Sequence, residues 1–335
     1  MYRRWYPSGN LVLDVDGNLY GTTSTYGRYG GGTIFKLTHG TNGWAYKVIH
    51  SFCYNNCSDG SSPATGLSYA GQLSGTPWDE FSPLFGTTKY SSSSDLSATV
   101  YKLSVDGSLW NYQVIHRFNS GQFPNQVLVD PSGNIFGTAE AGGAYFGGLM
   151  YKLAAGTWKV GVLHNFCNSG GCADGEYPES RLLMDGAGNI FGTTTDGGNC
   201  IYNGNNSPCG VVFERPAGGG YNVLYKFCFK TGCLDGGSPA GLTMDSSGHL
   251  LGVTAYGGAN SNADCQTGCG TVFKLTNNGG SWGESVLYSF CSLYPCEDGG
   301  LPYTPPLLDG TGNLFGTTLK YGANAGGGTV FALAP

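Results

Sequence analysis

The sequence predicts an all-β fold, a six-bladed β-propeller of four-stranded blades, and three observations carry that prediction. The first is a repeated signature, Phe/Tyr-Gly-Thr, at Tyr20-Gly21-Thr22-Thr23, Phe85-Gly86-Thr87-Thr88, Phe136-Gly137-Thr138, Phe191-Gly192-Thr193-Thr194 and Phe315-Gly316-Thr317-Thr318. With the degenerate copy Leu251-Gly252-Val253-Thr254, the six glycines recur at a mean spacing of 59 residues. The second is that most copies hold four short β-branched or aromatic runs bounded by Gly, Asn and Asp, the pattern of strands and turns. The third is composition: 59 glycines in 335 residues and only 11% charged residues, against about 25% charged in average proteins. No segment sustains a helical period, which excludes a helical bundle. A chain that is 40% hydrophobic can bury a core, which excludes disorder.

The elements follow in order within each copy. A short apolar inner run ends in a turn, such as Leu182-Leu183-Met184-Asp185 before Gly188-Asn189. The signature is the second strand. A Gly-rich loop leads to the third, as in Ile34-Phe35-Lys36-Leu37 and Val272-Phe273-Lys274-Leu275. Val48 to Phe52, Val114 to Phe118, Val162 to Phe166, Val223 to Phe227 and Val286 to Phe290 are fourth strands. Four strands taken six times is propeller arithmetic. The copies span about 7–62, 63–123, 124–177, 178–238, 239–301 and 302–335 plus 1–6, one domain over 1–335. The last copy stops after its third strand, so Tyr2-Arg3-Arg4-Trp5 is expected to supply the missing outer strand and close the ring, removing an open edge. A seven-bladed rival would have to hide a unit in residues 68–82; that segment is too short for four strands and reads as an inter-strand insertion. Each signature glycine is expected to admit a neighbouring backbone. Trp44, Trp110, Trp158 and Trp282 recur in register ahead of the fourth strand, which favours packing over sugar stacking.

The pattern Pro239-x-x-Leu242-x-x-Asp245-x-x-Gly248-x-Leu250-x-Gly252, followed by Gly270-Thr271-Val272-Phe273-Lys274-Leu275, resembles the Gloeo/Verruco (GloVer) tandem repeat of secreted bacterial proteins. The resemblance runs over all six copies and implies an extracellular setting; it brings no catalytic motif. The first half of each repeat is similar, more weakly, to six-bladed NHL and lactonase-like propellers, a likeness of fold that does not give function. Copy two departs from both, with Ala70 where Asp is expected.

Twelve cysteines fall in six local pairs: Cys53–Cys57, Cys167–Cys172, Cys228–Cys233 and Cys291–Cys296 in the frame Phe-Cys-x(3–4)-Cys-x-Asp-Gly, with Cys200–Cys209 and Cys265–Cys269 inside Gly-rich loops. They read as six small disulfides of an oxidising compartment. Zinc is the competing reading, but no Cys-x-x-Cys knuckle or nearby His completes a set. Met1-Tyr2-Arg3-Arg4 is not followed by the apolar run of a signal peptide, so the export signal is expected to be absent from this chain. No stretch is apolar enough to span a membrane. The net charge of −6 argues against a nucleic-acid partner. A monomer is expected.

In a propeller the cysteine pairs and long loops share one face, where ligands bind on a rigid scaffold. Asp59, Asp174, Asp235 and Asp298 recur there in the Asp-Gly frame, as turn formers or as ligand contacts. Residues that break the repeat are stronger functional candidates. Asn10, Asn125, Gln126, Glu179, Arg181 and Tyr303 follow the repeated proline, at the expected mouth of an axial channel. Glu179 with the amide oxygens of Asn10 and Asn125 suits a hard cation such as Ca²⁺; otherwise Glu179 and Arg181 pair and the channel holds water. His50, His116 and His164 share one fourth-strand position, and no Gly-x-Ser-x-Gly elbow is present. Two functions remain: a secreted module binding a small molecule or glycan at the loop face and channel mouth, or a Ca²⁺-dependent hydrolase of lactones, aryl esters or phosphotriesters with Glu179 as ligand or base.

Overall fold

The computed structural model describes residues 7–63, 65–90, 97–199, 209–263, 265–323 and 326–334. They fall into two compact units, residues 1–143 with 148–165, and residues 144–147 with 166–335. The first unit holds three blades. Blade one is β1 (Pro7–Leu13), β2 (Leu19–Thr23), β3 (Thr33–Gly40) and β4 (Gly43–Ser51). Blade two is β5 (Leu84–Thr88), β6 (Thr99–Asp106) and β7 (Leu109–Arg117), with an antiparallel bridge from Ser68 to Phe85 standing for its inner strand. Blade three is β8 (Leu128–Val129), β9 (Ile135–Ala139), β10 (Leu149–Leu153) and β11 (Val160–Asn165). In the second unit, blade four is β12 (Leu183–Met184), β13 (Ile190–Thr194), β14 (Val211–Arg215) and β15 (Asn222–Lys226). Blade five is β16 (Gly237–Met244), β17 (Leu250–Tyr256), β18 (Thr271–Asn277) and β19 (Trp282–Ser289); blade six is β20 (Leu307–Leu308), β21 (Leu314–Thr317) and β22 (Val330–Leu333). Strands pair antiparallel in chain order within each sheet. The fold is an all-β, six-bladed β-propeller. The closing strand expected from Tyr2 to Trp5 lies outside the described residues.

The signature glycines correct an expectation. A neighbouring backbone is not what comes close in most copies; the aromatic ring directly opposite on the third strand is. Gly21, Gly86, Gly137, Gly192, Gly252 and Gly316 pair in register with Phe35, Tyr101, Tyr151, Phe213, Phe273 and Phe331. A Cβ at Gly21 would stand 2.6 Å from Phe35 Cζ. The far end of the ring reaches over its partner glycine, and the missing side chain makes the room.

That ring also forms the seam. The phenylalanine that ends each fourth strand packs on the third-strand ring of the next blade: Phe52 on Tyr101 at 5.3 Å, Phe118 on Tyr151 at 5.0 Å, Phe166 on Phe213 at 5.3 Å, Phe227 on Phe273 at 4.8 Å and Phe290 on Phe331 at 5.1 Å. Tilted and edge-on geometry adds about 0.5–1.5 kcal/mol per pair beyond burial. The recurring tryptophans pack as expected in three copies. Trp110 meets Tyr20, Trp158 meets Phe85 and Trp282 meets Phe191, each across to the preceding blade. Trp44 instead stands half exposed against His39.

Tyr101 and Tyr151 are fully buried, and neither hydroxyl has a hydrogen-bond partner among the described residues. Phenylalanine occupies the same place in the other four copies. Replacing either tyrosine by phenylalanine should therefore raise stability by about 1 kcal/mol, because an unpaired buried hydroxyl is removed without loss of ring packing. Urea denaturation checks this, and a loss of stability would show that the hydroxyl has a partner.

The insertion between Ser68 and β5 is not a hidden blade. It makes one 3₁₀ turn, Gln72–Ser74, and then docks on blade one. Trp78 N donates to Leu13 O at 2.8 Å and Val15 N donates to Trp78 O at 3.1 Å. Asp79 caps the end of the segment, accepting from Phe81 N at 3.0 Å and Ser82 N at 2.7 Å.

Candidate functional site

The cysteine frames are built from short-range bonds. In each, the first cysteine N–H donates to the frame glycine oxygen: Cys53 to Gly60 at 3.0 Å, Cys167 to Gly175 at 3.0 Å, Cys228 to Gly236 at 2.9 Å and Cys291 to Gly299 at 3.1 Å. These glycines sit at φ between 85° and 99°, and their missing Cβ leaves room for a threonine of the next blade. Gly60 faces Thr88, Gly175 faces Thr194, Gly236 faces Thr254 and Gly299 faces Thr318. Each frame is thus a staple laid from one blade onto the next. Disulfides close it at Cys53–Cys57, Cys167–Cys172, Cys228–Cys233 and Cys291–Cys296, and a fifth joins Cys265 to Cys269. Cys209 is also disulfide-bonded, while Cys200 lies outside the described residues. Five such bonds mark an oxidising environment. No cysteine among the described residues is free. No helix among the described residues is long and apolar enough to cross a membrane.

The frame aspartates turn inward. Asp235 accepts from Phe229 N at 3.1 Å, Lys230 N at 3.3 Å and Tyr225 Oη at 2.9 Å. Asp298 accepts from Ser292 N at 2.9 Å, Leu293 N at 3.1 Å and Tyr288 Oη at 2.7 Å. Burial raises its carboxyl, but these bonds outweigh burial and hold it below the usual range. Asp174 accepts from Ser169 Oγ at 2.8 Å. Asp59 meets His50 Nε2 at 2.9 Å and accepts from Cys53 N at 3.1 Å. The fourth-strand position holding His50, Tyr225 and Tyr288 therefore has one task, to reach the frame aspartate. His116 belongs to the copy without a frame, and burial lowers its pKa.

The polar residues after the repeated proline are placed unit by unit. In the first unit Asn10 and Gln126 come together: Gln126 Nε2 donates to Asn10 Oδ1 at 2.6 Å and to Ser68 Oγ at 3.2 Å, knitting the inner edges of three blades. Asn125 Nδ2 donates to Thr138 Oγ1 at 3.1 Å, the signature threonine of its own blade. In the second unit Tyr303 donates to Tyr256 Oη at 3.0 Å. Burial, that bond and the charge of Glu179 all raise the Tyr303 phenol. Glu179 is exposed; Arg181 is half-buried, and burial lowers its pKa.

Sequence reasoning missed two features. The frame loops carry large aromatic residues at their tips: Tyr54 is 60% exposed, Phe229 83% and Tyr294 96%. Tyr29 tilts against Tyr54 at 5.4 Å, with the Arg28 guanidinium 5.5 Å from the Tyr29 ring. Next to Tyr294 a cleft of about 420 Å³ opens between the Cys291–Cys296 frame and the strand 2–3 loop of blade six, lined by Pro295, Glu297, Lys320, Tyr321 and Gly322. The signal was present in the sequence, since an aromatic residue between two cysteines four or five apart has nowhere to bury. The second feature is that the sulfurs of Cys269, Cys291 and Cys296 lie within 4.8 Å of one another, so two disulfides touch.

Fold and frames together define a disulfide-stapled six-bladed propeller with aromatic loop tips. The chain belongs to the Gloeobacter/Verrucomicrobia repeat family, whose model matches residues 72–292. No curated protein matches it in sequence. Among solved structures it is similar in fold to an oligogalacturonate lyase in complex with manganese (10% identity, TM-score 0.60, covering 100% of this chain and 79% of that one). It is also similar to a protein assigned as a 6-phosphogluconolactonase from Bacteroides uniformis (11% identity, TM-score 0.53, 92% and 77%). The extracellular domain of a hybrid two-component system from B. thetaiotaomicron matches at 9% identity and TM-score 0.48 over 99% of this chain, which spans 38% of that one.

Proposed function

We propose that the chain is a secreted binding module that takes a glycan or small molecule on its disulfide-pinned loops, with Tyr294 and the adjoining cleft as the main subsite. The observation that carries this reading is Tyr294, almost wholly exposed at the apex of a loop closed by Cys291–Cys296. A flat ring on a backbone already fixed by a disulfide loses little freedom on binding, so its contact area converts efficiently into affinity. Sugars offer apolar C–H faces to such a ring and hydroxyls to Glu297 and Lys320.

Calorimetry against a panel of neutral and acidic oligosaccharides tests it. Tyr294→Ala should weaken binding about tenfold or more, the scale of an interface hot spot, with an unchanged melting temperature because the side chain packs on nothing. Unchanged affinity, or no binding by any member of the panel, would overturn the reading. The alternative, a Ca²⁺-dependent hydrolase resting on Glu179, predicts turnover of chromogenic esters that a chelator abolishes and that Glu179→Gln removes.

A further inference from the structure

Two of the seams between blades share a second contact, and blade five puts a carboxyl in its place. Tyr112 on β7 donates its hydroxyl to the main-chain oxygen of Asp59, the frame aspartate of blade one. Tyr221, two residues before Val223 of β15, does the same to Asp174 O at 2.6 Å. Both tyrosines stand two residues before the fourth-strand valine. In blade five that position is Glu284. The register agrees, since Tyr112 lies opposite Leu103 and Glu284 opposite Leu275.

The Glu284 side chain is 1% exposed. Its Oε2 accepts from Lys230 Nζ at 2.6 Å and from Tyr225 Oη at 3.4 Å. Its Oε1 is buried and has no partner among the described residues. The groups facing it are Tyr225 on β15, and Lys230 and Asp235 in the frame that follows β15; Tyr225 also donates to Asp235 Oδ2 at 2.9 Å. An ionised Glu284 would thus leave a buried anionic oxygen unsatisfied near a second carboxylate.

We propose that Glu284 is a proton-carrying latch between the fourth and fifth blades: Oε1 holds a proton and donates it across the seam, where other copies use a tyrosine hydroxyl. By analogy with Asp59 O and Asp174 O in the two tyrosine seams, the acceptor assigned to it is the Asp235 main-chain oxygen. The proton comes from solvent and returns to it when the latch opens. Burial raises the Glu284 carboxyl, and Asp235 raises it further; the half-exposed Lys230 ammonium pulls the other way but does not prevail. Because the folded state binds this proton more tightly than the unfolded chain, the latch is fully closed below the unfolded pKa of about 4.3. Its stabilisation is lost as pH rises through the folded pKa.

Carbon-13 NMR titration of the intact protein reads the group directly. The Glu284 carboxyl should titrate with a midpoint above about 4.3, and Lys230→Gln should move that midpoint up again. Glu284→Gln carries a permanent donor, so its melting temperature should exceed that of wild type by about 2–4 °C at pH 8, with the gap closing towards pH 4. Glu284→Tyr, which restores the neighbouring seams' solution, should show the same pH-dependent gap. A midpoint at or below that of a free glutamate would overturn the proposal, as would a gap that does not vary with pH.

Discussion

Trp78→Ala is expected to cost about 3–5 kcal/mol, the range for a fully buried tryptophan cut to a methyl group. Trp78 is 1% exposed. Its ring meets Tyr20 edge-on at 5.0 Å and lies near Trp110 at 6.1 Å, so three large rings from blade one, blade two and the insertion share one cluster. Its indole N–H donates to Ser82 O at 2.8 Å, which folds the end of the insertion back on itself. The loss extends beyond the ring. With the insertion undocked, Glu80 leaves Lys36, which it now meets at 3.2 Å, and Tyr20, whose hydroxyl donates to it at 3.3 Å. Glu80→Gln alone should cost under about 1 kcal/mol, because that ion pair is partly exposed. Urea denaturation of the two variants separates ring packing from charge. A Trp78→Ala loss below 1 kcal/mol would mean that the insertion contributes little to blade one.

How far the sequence showed this in advance depends on the range of the interaction. Residues 68–82 read as an insertion because four strands do not fit in them, and they do lie between Ser68 and β5. That they would run parallel to Asp14 through a bridge at Trp78 was not readable, because nothing local to the segment specifies a partner 64 residues away. The frames were readable for the opposite reason: each disulfide, each Asp bond to the main chain at or just after the first cysteine and each Asp-Gly turn closes within nine residues. The polar residues after the repeated proline show the limit. Their position was legible from the repeat, but Asn10 and Gln126 are 116 residues apart, and only the packed blades join them. Glu284 was invisible for a related reason, since a glutamate two residues before a strand valine looks like any solvent-facing charge until Tyr112 and Tyr221 show what that position touches.

The signature glycines give the second large effect, and the degenerate copy gives its clearest test. Gly252→Ala is expected to destabilise by about 1–3 kcal/mol, the cost of forcing extra volume into a packed site. A Cβ there would lie 2.5 Å from Phe273 Cζ and 2.7 Å from the main-chain oxygen of Gly241, so ring and backbone close on it from two sides. Gly252 has no left-handed φ, so alanine suits its backbone and would in open space be favoured by the lower entropy of the unfolded chain. The sign of the change therefore decides between the two physical accounts of a repeated glycine, conformational freedom and steric room. The ring cannot simply retreat, because Phe227 packs edge-on against it at 4.8 Å and transmits any shift to the seam with blade four. Phe273→Leu should rescue Gly252→Ala in part by vacating the space over the new methyl group, although alone it would open a gap beneath Phe227. A double-mutant cycle in urea measures this coupling. Strict additivity of the two substitutions would show that the glycine is retained for some reason other than the ring opposite it.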